Sequence, residues 1–347
     1  MPVQNSRIAF IDLAKGIAII LVVYGHCLRG LVSAGVISQK SPLEASDYII
    51  YTFHMPLFFL LSGLFFQSSA RKNPAAFWAA RLRTIVYPYF LWSVIQGGIQ
   101  VILAKSVAVN RGMSEDQLYG ILYAPISPFW FLYALLFGNV FAYLFRGIRA
   151  DVLVMGSFAA FLASSLFIDP QVIKDVTYGV FYFSLGIYVR ERDWTRSLPL
   201  SWNTTWLLVG GFAVAASYCY LLKIPDRLAI PAAGLGIAAT LALCAALVQM
   251  DGAAFTVRVL NLVGRCSMAI YVMHILLLSF MRTLLLRGLH IKAALVLMPL
   301  EIGTAIVIPI AVQLLVARYR INAFFGLPVV ASESPVVPAT LRVQSEL

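Results

Sequence analysis

The sequence predicts an all-α, polytopic integral membrane protein of about ten transmembrane helices, with both termini in the cytoplasm. Three observations carry that reading. Hydrophobic residues make up 61% of the chain and charged residues 12%, with a mean hydropathy of +0.86, whereas soluble domains are about half apolar and a quarter charged. Apolar segments recur through the 347 residues, each near the ~20 residues that span a bilayer as a helix. Lysine and arginine also sort unequally between the two sides that these segments define.

The first span is read over 8–29, within RIAFIDLAKGIAIILVVYGHCLRG. Asp12 and Lys15 interrupt any signal-peptide core, and no A-x-A-like cleavage site follows, so it is expected to be retained. The second, 48–68, contains YTFHMPLFFLLSGLFF. Pro56 loosens its first turns, and Ser62-Gly63 permits close backbone approach. A cationic stretch, Arg71, Lys72, Arg81 and Arg83, precedes the third span at 84–104. The longest loop, 105–126, leads to the fourth at 127–145, which opens with SPFWFLYALLFGN. Spans five to eight follow at 152–168, 177–190, 205–222 and 228–249, the sixth being the shortest. The ninth, 268–286, carries His274, and the tenth, 294–316, carries Glu301. A membrane domain over 1–325 is thus expected to end in a disordered cytoplasmic tail, 326–347, rich in Pro, Ser and Val. No appended soluble domain is expected, and no internal repeat is visible in the sequence.

With the N-terminus inside, 16 lysines and arginines fall on the inner side and 10 on the outer. Nine or eleven spans would spoil that asymmetry. The net charge of +11 needs no nucleic acid, because a basic cytoplasmic face against anionic lipid accounts for it, and part of it could serve a phosphorylated cofactor. Cys27, Cys219, Cys244 and Cys266 have no metal or redox spacing and read as small packing residues. No metal is expected.

The chemistry concentrates on few residues. Lys15 and His26 are eleven apart, almost three helical turns, so they share a face at a separation of about 16 Å. Asp12, three residues before Lys15, is placed to neutralise and position it. Intramembrane ionisable groups are expensive and mark cavities, pairs or chemistry. Of four histidines, His26, His54 and His274 fall inside spans and His290 in an outer loop. His26 and His54 each lie within about 10 Å of the outer boundary and could share a cavity. His54 could instead cap the backbone loosened by Pro56. His274 and Glu301 are near mid-depth, where they could pair. Arg81 and Arg83, beside Tyr87-Pro88-Tyr89 and on the side of Lys15, suit phosphate oxygens, although such clusters also arise as topology signals. Trp130 with Tyr133 is either an interfacial aromatic pair or the lining for a sugar.

R-x-x-F-I-D-L-A-K-G-I-A-I-I-L-V-V-Y-G-H in the first span, F-H-M-P-L-F-F-L-L-S-G-L-F-F in the second, R-L-R-x-x-x-Y-P-Y at the third, P-F-W-F-L at the fourth and I-Y-V-M-H in the ninth together resemble the membrane-bound acyltransferase-3 family. The resemblance is nearest the fucose 4-O-acetylase-like branch and covers roughly residues 7–320. The family's Arg/Lys-x10-His motif falls on Lys15 and His26. Its Arg-x-x-Arg motif is met only by Arg81-Leu82-Arg83, with Thr84 in the later position.

The resemblance implies transfer of an acetyl or other short acyl group from cytosolic acyl-coenzyme A, acetyl-CoA first, to a hydroxyl of a cell-envelope or secreted sugar. A bacterial inner membrane location follows. His26 is expected as general base or as transiently acylated nucleophile, with His54 as a second proton carrier or orienting partner. Lys15, Arg81 and Arg83 are expected to hold the coenzyme. Asp12, Trp130, His274 and Glu301 are expected to support the site. Expected partners are a carbohydrate acceptor, membrane lipids and, open at this stage, a second copy of the chain. The competing reading is a proton-coupled transporter of a sugar or lipid-linked intermediate, its buried His and Glu forming a relay. A non-catalytic assembly subunit ranks third, since it leaves three intramembrane histidines without work.

Overall fold

The computed structural model describes residues 2–71, 73–104, 119–126, 128–193, 201–250 and 253–329. Among them every regular element is helical. In chain order these are α1 (Pro2–Ser33), α2 (Leu43–Leu64), the short α3 (Phe66–Ala70), α4 (Pro74–Arg81), α5 (Tyr87–Ala104), α6 (Trp130–Leu144), α7 (Ala150–Phe167), α8 (Gln171–Glu191), α9 (Trp202–Leu221), α10 (Ile230–Gln249), α11 (Ala254–Arg265), α12 (Ser267–Thr283) and α13 (Ala294–Arg318). Nine helical stretches among the described residues are long and apolar enough to cross a membrane, and α6, at 15 residues, is a shorter apolar tenth.

The third crossing starts at Pro74 rather than near 84, because α4 runs into α5 through a π-helical turn, Leu82–Val86. The sixth is no short span. α8 extends over 21 residues from Gln171, and the carboxylate of Asp175 in its early turns is matched by Arg227. One helix was not anticipated. α11 is amphipathic and too short to span, and it buries Val257, Val263 and Gly264. The expected disordered tail lies outside the described residues beyond Val329. Its first residues are packed, with the carbonyl of Pro328 accepting from Gln313 and Asn322.

α1 and α2 form the centre. α1 packs on α2, α10, α11, α12 and α13, and α2 packs on α8, α9 and α10 as well. Without a hydrophobic drive between helices in lipid, close approach through small residues holds such a bundle together. Gly63 of α2 lies against the Phe183 carbonyl and Gly186 of α8, and Gly264 of α11 against the Asp12 carbonyl and Gly16 of α1. A side chain at either crossing would strike backbone, which cannot rotate away. The largest apolar cluster follows from this arrangement: Leu13, Ile19, Leu28, Leu31, Leu57 and Phe59 from the two central helices are all buried within it.

Candidate active site

A cavity of about 460 Å³ opens on the side predicted to be extracytoplasmic. α1 contributes His26 and Arg29, α2 Tyr51 and Met55, α6 Trp130, α7 Ser165, α8 Gln171, Lys174 and Tyr178, and the turn before α10 residues 225–228. The two central helices meet closely at this level because Gly25, beside His26, has no side chain. A Cβ there would stand 2.9 Å from the Tyr51 ring. Tyr51 can therefore lie over His26, with its hydroxyl 3.4 Å from Nε2.

The three intramembrane histidines converge. The rings of His26 and His274 are 5.0 Å apart between centroids, and Tyr51 meets His54 edge-on at 4.6 Å. His54 and His274 are buried to 1% and 0% exposure, while His26 faces the cavity. Pro56 supplies no N–H to the preceding turn. Close to that gap, His54 Nδ1 donates to the Ile50 carbonyl at 2.6 Å. That bond is to Ile50 and not to the Thr52 carbonyl, which is the one Pro56 leaves without its helical donor, so His54 does not cap the loosened turn and its ring belongs to the cluster.

Two outer-side arginines shape the cavity. Arg29 lies 3.3 Å over the Tyr51 ring and donates to Asp47 at 2.8 Å. Arg227 pairs with Asp175 and stands 5.3 Å from the Trp130 ring and 5.6 Å from that of Tyr178. Trp130 is thus a wall of the cavity rather than only an interfacial anchor. Arg29 was within reach of sequence reasoning, since it lies one turn beyond His26. The joining of Arg227 to Asp175 was not, because Asp175 is on α8 and Arg227 in the turn before α10, 52 residues on.

The other supporting residues distribute differently. Glu301 is fully buried, and the expected pair with His274 does not form. Arg282 binds it in a fork, Nη2 to Oε2 at 2.7 Å and Nε to Oε1 at 3.2 Å, and Cys27 Sγ lies 3.5 Å from Oε2. Gly30 makes room for this, since a Cβ there would collide with the Arg282 guanidinium.

At the opposite end, Lys15 Nζ lies 3.4 Å from Asp12. Arg81 donates to Asn139 at 2.6 Å and sits 4.6 Å over the Phe77 ring. Arg83 is exposed on the π-helical turn, a kind of irregularity frequent at functional sites. None of these cations lines the outer cavity. The described residues contain no cluster of His, Cys, Asp or Glu able to hold a metal.

An acyltransferase domain profile, acyltransferase-3, matches residues 8–318. Nodulation protein NolL of Mesorhizobium japonicum is 28% identical over 226 residues, 62% of this chain and 57% of that protein. Nodulation protein NolL of Sinorhizobium fredii is 23% identical over 233 residues, 62% of this chain and 58% of that protein. The alignments therefore span less than two thirds of these relatives. No solved structure matches.

Proposed function

We propose, from the premise that this chain belongs to the acyltransferase-3 family, that it moves an acetyl or other short acyl group from cytosolic acyl-coenzyme A to a sugar hydroxyl. The acceptor is an envelope or secreted carbohydrate, as in the fucose 4-O-acetylase-like branch, and the protein works in a bacterial inner membrane. One observation carries the reading: the histidine of the Lys15–His26 ladder stands at a cavity large enough for a sugar, walled by aromatic and hydrogen-bonding side chains.

A neutral imidazole can take the proton of an alcohol. His26 accepts the acceptor's hydroxyl proton while the oxygen attacks the thioester carbonyl. The carbon–sulfur bond then breaks, and the proton passes to the departing thiolate. Trp130 and Tyr178 offer the sugar apolar faces, and Gln171, Lys174 and Asp226 offer polar ones. At the other side, Lys15, Arg81 and Arg83 supply charge for the coenzyme's phosphates, with Lys15 about 16 Å from His26 along α1. The pantetheine arm is the part of the donor that bridges such a distance.

His26→Ala is expected to lower transfer by about 10²–10⁴-fold, the scale of general base catalysis, with the protein still folded. Mass spectrometry of envelope glycans from cells carrying the variant reads the loss of acetyl groups. Near-normal acetylation with His26→Ala would overturn the assignment.

A further inference from the structure

His274 has a hydrogen-bonding state fixed by backbone and left incomplete. Its Nδ1 lies 2.7 Å from the Tyr271 carbonyl oxygen and 3.1 Å from that of Ile270. A carbonyl only accepts, so Nδ1 carries the hydrogen and Nε2 is a bare lone pair. That Nε2 is buried without a partner, in a side chain of 0% exposure. A buried acceptor left unmade is costly, and one in a native fold calls for an account. The neighbouring ring is His26, at 5.0 Å between centroids and inclined by 56°. The two rings are not hydrogen-bonded as they stand; because imidazole nitrogens lie off the ring centre, a turn of the His26 ring at this separation presents one of them to His274 Nε2. His54 is locked to backbone in the same way, but the ring stacked edge-on against it is Tyr51.

We propose that His274 is a positioning residue for His26: its Nε2 lone pair accepts the His26 N–H that the sugar alcohol does not use. The proposal rests on His26 being the base. Neutral His26 carries one ring hydrogen, and His274 holds it on the nitrogen turned away from the acceptor. The other nitrogen then takes the alcohol proton as the oxygen–carbon bond forms and the carbon–sulfur bond breaks, and it returns that proton to the thiolate. His274 neither gains nor loses a proton in the cycle. Its role resembles that of the partners that fix the tautomer of metal-binding or triad histidines.

The chain has four histidines, so nitrogen NMR of the full-length, ¹⁵N-histidine-labelled protein in nanodiscs can be assigned from single variants. In the wild type, His26 is expected in a single tautomer. His274→Leu removes the acceptor and is expected to leave His26 exchanging between both tautomers. Glycan acetylation in cells should fall about 10–100-fold, the range for orienting partners of histidines. His274→Gln presents an amide that can donate to the carbonyls and an oxygen that can accept, and it is expected to restore the single tautomer and most of the acetylation. A folded His274→Leu protein whose His26 keeps the wild-type tautomer overturns the proposal. So does a His274→Gln protein no better than His274→Leu in both readouts. Retained acetylation with His26→Ala would instead sink the underlying assignment of the base, whatever the spectra show.

Discussion

Arg282 and Glu301 provide a test of what the buried charges are for. Glu301 has no exposure and Arg282 15%, and the two are joined by a fork at 2.7 and 3.2 Å. At an effective dielectric of about 20, unit charges about 3 Å apart attract by roughly 5–6 kcal/mol. Much of that is offset by the cost of desolvating both groups. The pair therefore contributes little net stability, yet removing one member strands the other charge in the bundle. Glu301→Leu and Arg282→Leu should each destabilise the protein by about 3–5 kcal/mol, while the double variant should lie within about 1 kcal/mol of wild type or above it. The assay is a thermodynamic cycle from denaturant unfolding in detergent micelles, run beside glycan acetylation in cells. The double variant should keep acyl transfer. A fully inactive but stable double variant would show that Glu301 takes part in chemistry or proton movement. A double variant as unstable as the sum of the singles would show that the pair does not act as a unit.

Other outcomes follow from the same structure. Gly63→Val should cost about 3 kcal/mol or more in micelle unfolding, the upper end for overpacking, because the new side chain meets the Phe183 carbonyl and Gly186 rather than a flexible side chain. Trp130→Leu should raise the acceptor KM about 3–10-fold, the loss of one stacking contact, and leave the donor KM unchanged in steady-state kinetics; the reverse pattern would remove Trp130 from the acceptor site. Arg81→Ala should raise the donor KM about 10–100-fold, the scale of one charge-assisted contact. A change confined to the acceptor KM would contradict a cytosolic donor.

Apolar length and spacing made the crossings readable from sequence, because a helix in lipid must satisfy its own backbone and carry a long apolar run. Where the reading slipped, the cause was a partner distant in sequence. The sixth span reads short from sequence, yet Asp175 sits in the early turns of α8 because Arg227, 52 residues on, neutralises it. Glu301 looked available to His274 because depth along a helix can be counted from sequence while helix rotation cannot. The nearer claimant was Arg282, at the far end of the helix that carries His274, admitted by the missing side chain of Gly30. α11 escaped notice because it is too short and too polar to span, and its evidence is a one-sided pattern ending in Gly264. His26, His54 and His274 could be picked out singly as costly groups in lipid. Their meeting depends on which helices are neighbours, and no local pattern encodes that.

The charge pairing bears on enzyme against transporter. A proton-coupled relay passes its proton along buried Asp, Glu or His side chains, and a carboxylate in it must change its partner as it gains and loses the proton. In the outer half of the described bundle, Asp47 is held by Arg29, Asp175 by Arg227 and Glu301 by Arg282. At the inner end of α1, Asp12 faces Lys15. Each of these carboxylates already has a cation, and the three outer pairs join different helices or a helix to a turn. Such pairs fix the bundle and define the cavity between them. The imidazoles are different. Two are tied to backbone through one nitrogen only, and the third faces the cavity. The imidazole that can exchange a proton without breaking a structural pair, His26, therefore stands at the chamber where an alcohol would sit, with the other two behind it. That distribution suits acid–base chemistry at one place better than a carboxylate relay running through the membrane.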